Sequence, residues 1–275
     1  MLHQNIGWRI YKVQSVDSTN SEAERLIRSL GINDAHQLAV VADMQTSGKG
    51  RRERNWFSPP GAGLWCSAAL VPEIQIEHLA QLTLVAAVAV SDAVEALTGA
   101  RLGIKWPNDL LHEGKKVCGI LTETVPLPQG DDESDTERTP VVIGIGVNLN
   151  QREEDFPAEL RDAATSLALI GKLPEGRTVS RDIIFTGILE KLHTWYELWM
   201  AEGFEPVRQR WINRSCTMNR LLSWEEGGKR MMGTAVDLEP DGSLRVCMQD
   251  GAIHRLNAGE IRFLRPAQGK GVRDE

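Results

Sequence analysis

The stretch VVIGIGVNLN, residues 141–150, alternates so strictly that only an extended strand can use it. Ile143, Ile145, Val147 and Leu149 fall on one face, and Gly144, Gly146, Asn148 and Asn150 fall on the other. The first face demands a hydrophobic core. The second carries almost no side chain, and two glycines on one side of a strand mark close approach by another backbone or by a ligand. The chain must therefore build a sheet with one packed face and one face partly left bare.

The neighbouring segments supply the rest of such a sheet. WRIYKVQSV, residues 8–16, alternates as a half-buried strand, and DSTNSEAERLIRSLG then gives cap residues, a helix and a terminating glycine. QLAVVADMQ, ending at Gln45, reads as a buried strand, and GLWCSAALV, beginning at Gly63, as another. A long helix is expected from Glu77 to Leu97, with Leu79, Leu82, Val85, Ala89, Ala93 and Leu97 on its buried face. RLGIKW and KKVCGILTETV are expected to be adjacent antiparallel strands around PNDLLHEG, with bends at Pro107-Asn108 and Glu113-Gly114. QGDDESDTERTP is polar and acidic enough for a mobile loop without chemistry. A helix from about Arg181 to Met200 places Ile184, Ile188, Leu192, Trp195 and Trp199 on one stripe, where the indoles suit a core better than a cofactor site. After Ser215 the pattern changes to short strands, with turn signals at Gly227-Gly228, Asp241-Gly242 and Asp250-Gly251, as in a small antiparallel barrel. The boundary is placed at residue 218, giving domains 1–218 and 219–275.

The 275 residues are 41% hydrophobic and 25% charged, enough for one large domain with a small appendage. No run approaches the ~18 apolar residues of a membrane span, and the start MLHQNIGWRIYK lacks signal-peptide character, so no membrane partner and a cytoplasmic location are expected. Cys66, Cys118, Cys216 and Cys247 are far apart, without CxxC or His spacing, and are read as reduced packing residues. A formal net charge of -7 argues against general nucleic-acid affinity.

Against that acidic background, TSGKGRRERNW packs Lys49, Arg51, Arg52 and Arg54 into a glycine-flanked loop. Glycines let backbone N–H groups converge on an anion, and arginines add bidentate bonds to phosphate or carboxylate. The plain alternative, a solvated loop with scattered cations, stands at even weight on charge alone. SGKG is not a Walker loop, because Asp43 stands where its first glycine is required and Gly50 where Ser or Thr is required. GIGVNL is not a dinucleotide fingerprint, because Leu149 replaces the third glycine and the motif lies inside a strand. A second basic site is Lys115-Lys116, after KWPNDL, itself readable as a turn with an aromatic plug.

Taken together, STN (Ser18 to Asn20), GKGRRERNWFSPPGAGLW, KWPNDLLHEGKKVCGIL, GIGVNLN and ATSL (Ala164 to Leu167) closely resemble the biotin protein ligase family. The resemblance covers most of the chain, including GTAVDLEPDGSL and AGEI near its end, and the arginine and triple-glycine motif typical of lipoate ligases is missing. It implies an α+β fold: a mixed, mostly antiparallel sheet flanked by helices, of the class II aminoacyl-tRNA-synthetase-like type, followed by a small C-terminal SH3-like β-barrel. It also implies an enzyme that joins biotin to ATP as biotinyl-5'-AMP, with Mg²⁺ on the triphosphate. The biotin then passes to one lysine of the biotin carboxyl carrier domain of acetyl-CoA carboxylase or a similar carboxylase.

By this resemblance Ser18, Thr19, Asn20 and Gln45 contact biotin, together with Lys49, Gly50, Arg51, Lys116, Gly119, Gly144 and Gly146. Ser18 and Asn20 match partners of the ureido group, although either residue could simply cap the following helix. Lys116 is the catalytic lysine that bridges carboxylate and α-phosphate, and Arg51 is the clamp on phosphate or carboxylate. Arg51, Arg52, Arg54, Trp56, Asn108 and Asn148 are the nucleotide-binding set, and Asp109 is the candidate metal ligand, although an Asn-Asp turn needs no such role. Gly119 lies an odd number of residues from Lys116, so both can meet one ligand only if a bulge or bend intervenes. Gly144 and Gly146 would leave room for the bicyclic ring or the adenylate.

Two letters depart from the family loop: Lys49 stands for arginine and Glu53 for glycine. Lysine lacks the bidentate fork, and Glu53 is expected to point outward and to pair with Arg52 or Arg54. About ten residues precede the first strand, too few for the DNA-binding domain of some family members, so no DNA partner is expected. A homodimer through the central sheet agrees with the family. A lipoate or octanoate ligase on the same fold and a non-catalytic biotin-binding module are the alternative readings.

Overall fold

A computed structural model describes residues 7–126, 138–171, 177–257 and 259–264. At its centre is a seven-stranded sheet in the order β1-β2-β3-β7-β6-β5-β4. Its strands are β1 (Arg9–Val16), β2 (Leu38–Gln45), β3 (Gly63–Leu70), β4 (Gly103–Lys105), β5 (Asp109–His112), β6 (Lys115–Thr124) and β7 (Val141–Asn148). Only β1 and β2 are parallel, joined by the crossover helix α1 (Thr19–Leu30) and the short α2 (Ile32–Ala35); every other pairing is antiparallel. The expected α+β class and mixed, mostly antiparallel sheet are what forms. Most of the expected acidic loop 129–140 lies outside the described residues.

The alternation of β7 decides the layering. Ile143, Ile145 and Val147 are buried in one large core with α3 (Gln81–Thr98) and α5 (Arg181–Glu202). Val142 faces the other side, where Ala23 and Ile27 of α1 pack with Leu38, Val40 and Ala69. Gly144 and Gly146 share the Val142 side. The glycine face is therefore the one that α1 covers, and the helix begins beside it at Thr19 and Asn20.

Three expectations change. DLLH is a strand in its own right: β5 pairs with both β4 and β6, so RLGIKW and KKVCGILTETV are separated by it and are not neighbours. Four residues between a proline turn and a glycine turn are too short for alternation to show. The long helix starts at Gln81, after a 3₁₀ turn at Ile76–His78, and it is buried almost all round as far as Val94, whereas Ala96, Leu97 (44% exposed) and Thr98 in its last turn are exposed. The helix is also apolar enough in composition to cross a membrane, against the expectation of no such run, yet most of it is buried inside the protein. The α5 stripe does form core: Ile184, Ile188, Leu192 and Trp199 are buried, and the Trp199 and Trp195 indoles donate to Gln81 Oε1 (2.8 Å) and Asp92 Oδ2 (3.1 Å).

Two further helices, α4 (Leu167–Ile170) and α6 (Glu205–Arg214), precede a five-stranded antiparallel sheet of order β11-β10-β9-β8-β12. Its strands are β8 (Leu221–Glu226), β9 (Lys229–Leu238), β10 (Leu244–Met248), β11 (Ile253–Leu256) and β12 (Arg262–Phe263), and the first turn takes positive φ at Gly227 and Gly228. Trp106, the aromatic of KWPNDL, is buried where the two sheets meet. Its backbone N–H donates to Thr217 Oγ1 at 2.9 Å and its indole to the Gly242 carbonyl at 3.1 Å.

Cys66 and Cys118 are buried packing residues, and burial pushes the Cys66 thiol up to about 12 and the Cys118 thiol higher still. The thiolate is the reactive form. Neither residue should react with a thiol reagent in the native protein, whereas both should react in denaturant. Labelling followed by peptide mapping tests this, and native-state labelling of Cys118 would contradict its burial.

Candidate active site

One cavity of about 320 Å³ lies on the glycine face, and every residue singled out from the sequence as a ligand contact lines it. Its floor is formed by strands β3, β6 and β7. Register pairs Ser67 with Gly144 and Trp65 with Gly146 on one side of β7, and Leu121 with Gly144 and Gly119 with Gly146 on the other.

At one end, α1 contributes a polar strip. Ser18 occupies the N-cap position with extended φ/ψ, but its side chain makes no capping bond; Thr19 and Asn20 are buried within the first turn. Gln45 at the end of β2 accepts from Thr19 N (2.8 Å) and Thr19 Oγ1 (3.1 Å), and donates to Ser58 Oγ (2.9 Å). Ser67 Oγ lies 2.8 Å from Thr19 Oγ1 and 2.6 Å from Asn20 Oδ1. Asp17, held by Arg25, has its carboxyl well below the usual range, at about 2, and accepts from Ser18 N. Ser67 and Glu123, which bonds Asn20, were missed in the sequence. The available signal was a lone hydroxyl in the otherwise apolar, fully buried β3.

At the other end lies the basic loop. Lys49 pairs with Asn55, Gly50 N–H donates to Arg54 O at 2.7 Å, and Trp56 N–H donates to Gly48 O at 2.8 Å. This small hairpin is closed by a 3₁₀ turn at Arg51–Glu53. Gly48 is required for it, since a Cβ there would lie 2.6 Å from the Trp56 carbonyl. Arg51 turns inward and donates to Asn108 Oδ1 at 3.0 Å, while burial depresses its pKa. Arg52 and Glu53 both take positive φ and are exposed. A glycine at position 53 would adopt that conformation freely, whereas an L side chain there is strained by about 1 kcal/mol. Glu53 does point outward, but Arg54 pairs with Glu260, just before β12, and not with Glu53. The ion pair fastens the loop to the second sheet. It also holds the Glu260 carboxyl below its usual value.

Trp56 swings back over the floor. Its indole would lie 2.5 Å from a Cβ on Gly146 and 2.8 Å from one on Gly119, and its buried Nε1 has no partner. The space opposite Gly144 is taken by the Asn20 amide. The glycines thus make room for Asn20 and Trp56 at the cavity floor.

Lys116 completes the site. The β5–β6 register shifts between Leu110, opposite Cys118, and Leu111, opposite Lys116, so a bulge at Val117 brings Lys116 and Gly119 to the same side, as their odd spacing required. Lys116 Nζ is 2.6 Å from Asp109 Oδ1 and 5.0 Å from the Trp56 ring centre, whereas the Lys115 ammonium turns away to the Arg161 carbonyl. The Lys116 backbone is clamped to the start of the ATSL segment and the residue before it, by N–H to Ala163 O (2.7 Å) and by its carbonyl to Thr165 N (2.9 Å). Asn148 spends its amide on the Thr165 carbonyl (3.0 Å) and the Lys116 carbonyl (3.4 Å), and Asn108 donates to Ile120 O at 2.8 Å. Both asparagines therefore position neighbouring strands as well as lining the cavity.

A lysine and an arginine at one end, a neutral polar strip at the other and a floor without side chains suit a ligand with a polar head and an activated acid. Residues 13–148 match the Biotin/lipoate A/B protein ligase family. A "Bifunctional ligase/repressor BirA" of Bacillus spizizenii is 38% identical over 258 residues, 94% of this chain and 75% of that protein. The chain belongs to this ligase family. A "Biotin--[acetyl-CoA-carboxylase] ligase" of Paracoccus denitrificans is 32% identical over 83% of this chain and 90% of its own. Among solved structures, a biotin protein ligase from Aquifex aeolicus in complex with biotin and ATP superposes with a TM-score of 0.76 at 28% identity, over 94% of this chain and 99% of that one. In this member of the family the polar strip, the basic loop and Lys116 line one cavity.

Proposed function

We propose that the chain is an ATP-dependent biotin protein ligase. Oxygen of the biotin carboxylate attacks the α-phosphorus of ATP, pyrophosphate leaves, and biotinyl-5'-AMP remains in the cavity. The ε-amine of a carrier lysine then attacks the acyl carbon, AMP leaves, and an amide forms. The carrier is the biotin carboxyl carrier domain of acetyl-CoA carboxylase or a similar enzyme. The observation that carries this reading is the convergence of Lys116, Arg51 and the strip Ser18-Thr19-Asn20-Gln45 on one cavity in a chain of this family.

The chemistry brings two anions together. Lys116 and Arg51 supply fixed positive charge where carboxylate and α-phosphate must meet, which is the term that most lowers such a barrier. Among the described residues no three His, Cys, Asp or Glu side chains form a metal cluster. Asp109, paired with Lys116, is one of two acids lining the cavity; the other, Glu260, is engaged by Arg54. This donor set suits Mg²⁺ carried mainly by substrate phosphates and offered one carboxylate, Asp109. When bound, it would neutralise triphosphate charge. The first 218 residues would carry this chemistry, and the second sheet would hold the loop through Glu260.

The test is transfer of biotin to an apo carrier domain by the full chain with ATP, in parallel with lipoate and octanoate. Biotin-dependent labelling of one carrier lysine is expected. Labelling by lipoate or octanoate alone would move the activity to the sister chemistry, and biotin binding without pyrophosphate release would leave only a binding module. A narrower test is Gly144→Ala. Its methyl group would displace the Asn20 amide, and loss of those hydrogen bonds should raise the KM for biotin by about ten- to a hundredfold. An unchanged KM would show that Asn20 does not read the ligand.

A further inference from the structure

We propose that Glu123 is a positioning residue: it fixes which way the Asn20 amide faces, and so makes that corner of the cavity a hydrogen-bond acceptor for a ligand N–H. This rests on the ligase reading above.

Asn20 is almost completely enclosed. Its Nδ2 lies 2.6 Å from Glu123 Oε2 and 3.3 Å from the Leu121 carbonyl, while Oδ1 accepts from Ser67 Oγ at 2.6 Å. An amide can be turned over with little change of shape, so its polarity is set by its neighbours. Ser67 cannot set it, because a hydroxyl can donate or accept equally well. The Leu121 carbonyl accepts only, but at a long distance. Glu123 carries a full charge at short range, and a turned-over amide would press oxygen against carboxylate. Both Nδ2 protons are therefore used within the protein, and what Asn20 retains is one lone pair on Oδ1.

The surroundings are built to this arrangement. Leu121 and Ser67 face Gly144 across the adjacent ladders, and any side chain at position 144 would occupy the Asn20 site. Glu123 is two residues further along β6, on the same face as Leu121 and Gly119, yet it is not among the groups that line the cavity. It acts through Asn20. A cyclic urea presents N–H donors to such a lone pair, whereas a dithiolane or an alkyl chain presents none. The acid at 123 thus contributes to choosing ureido ligands over fatty acyl ones at a distance from the reacting atoms.

The experiment compares wild type, Glu123→Ala and Glu123→Gln in biotin-dependent ATP–pyrophosphate exchange with the full chain. Glu123→Ala should raise the KM for biotin about tenfold, with kcat and the KM for ATP within about twofold of wild type. Glu123→Gln, which can still accept from Asn20 but no longer excludes the turned-over amide, should fall between the two. The preference for biotin over octanoate, as a ratio of kcat/KM, should fall in the same order. A native biotin KM in Glu123→Ala would overturn the proposal, and so would a joint rise of the biotin and ATP KM values. Should Glu123→Ala lose its thermal midpoint, Glu123→Gln carries the test, since a native KM and native preference there would refute the role of charge. Absence of exchange in the wild type would instead refute the ligase reading itself.

Discussion

Replacement of Lys116 by alanine is expected to slow adenylate formation by roughly 10²–10³, about 2.7–4 kcal/mol of transition-state stabilisation, the loss typical of one preorganised donor. Biotin binding should weaken much less, because the ammonium sits among the charged groups and not in the polar strip of α1. Its position is set by the backbone: the bulge at Val117 turns it to the cavity, and Ala163, Thr165 and Asn148 hold the strand there. In the resting site its charge is balanced by Asp109 at 2.6 Å. The substrate anions must replace that partner, and the reaction then gains a cation that needs no reorganisation. In Lys116→Ala the Asp109 carboxylate, only 22% exposed, is left without its counter-ion. Adding Asp109→Asn to Lys116→Ala should leave kcat depressed, because a neutral side chain does not restore the missing cation. Single-turnover measurement of biotinyl-AMP together with equilibrium biotin binding decides the matter; an equal loss of rate and affinity in Lys116→Ala would sink its assignment to the transition state.

The sequence was most legible where a period is short and local. The alternation of residues 141–150 announced both the core face of β7 and its bare face, and the cap-to-glycine pattern after Val16 announced α1 and its end at Gly31. Parity along β6 even required a bulge between Lys116 and Gly119, and the register shift supplies it. What could not be read is what fills the bare face. Asn20 reaches Gly144 and Trp56 reaches Gly146 only once strands distant in sequence are in register, and no spacing encodes that. The same holds for Arg54 and Glu260, which meet although 206 residues separate them in the chain. Ser67 and Glu123 were hidden for a different reason: Ser67 is a lone hydroxyl in an apolar strand and Glu123 stands between two threonines near the end of β6, and the meaning of each depends on the amide it faces. β5 escaped because four residues between two turns are too few for a period to assert itself.

The same dependence on distant partners makes Asp92 a junction of three helices away from the cavity. This acid on α3 accepts from Arg210 Nη2 at 2.7 Å, Arg214 Nη2 at 3.1 Å and the Trp195 indole at 3.1 Å, and so joins α3, α5 and α6. Glu95, one turn further along α3, also pairs with Arg214, whose hydrogen bond holds the Glu95 carboxyl below its usual value. The Arg214 side chain is only 5% exposed, whereas Arg210, at 38%, can reach water. Removing Asp92 therefore costs most at Arg214, whose buried charge keeps a single, more exposed partner, and at the indole, which loses its acceptor. Asp92→Ala should destabilise the protein by about 3–5 kcal/mol, the range for breaking a buried ion pair from one side. Asp92→Asn, which keeps an acceptor for Trp195, should cost less. The penalty comes from the stranded charge more than from the lost attraction, so Asp92→Leu combined with Arg214→Met should recover most of it. Urea unfolding measures all four proteins, with an unchanged slope as the condition for comparing midpoints. A double variant no more stable than Asp92→Ala would show that the network is valued for its attraction, and that the desolvation argument fails at this site.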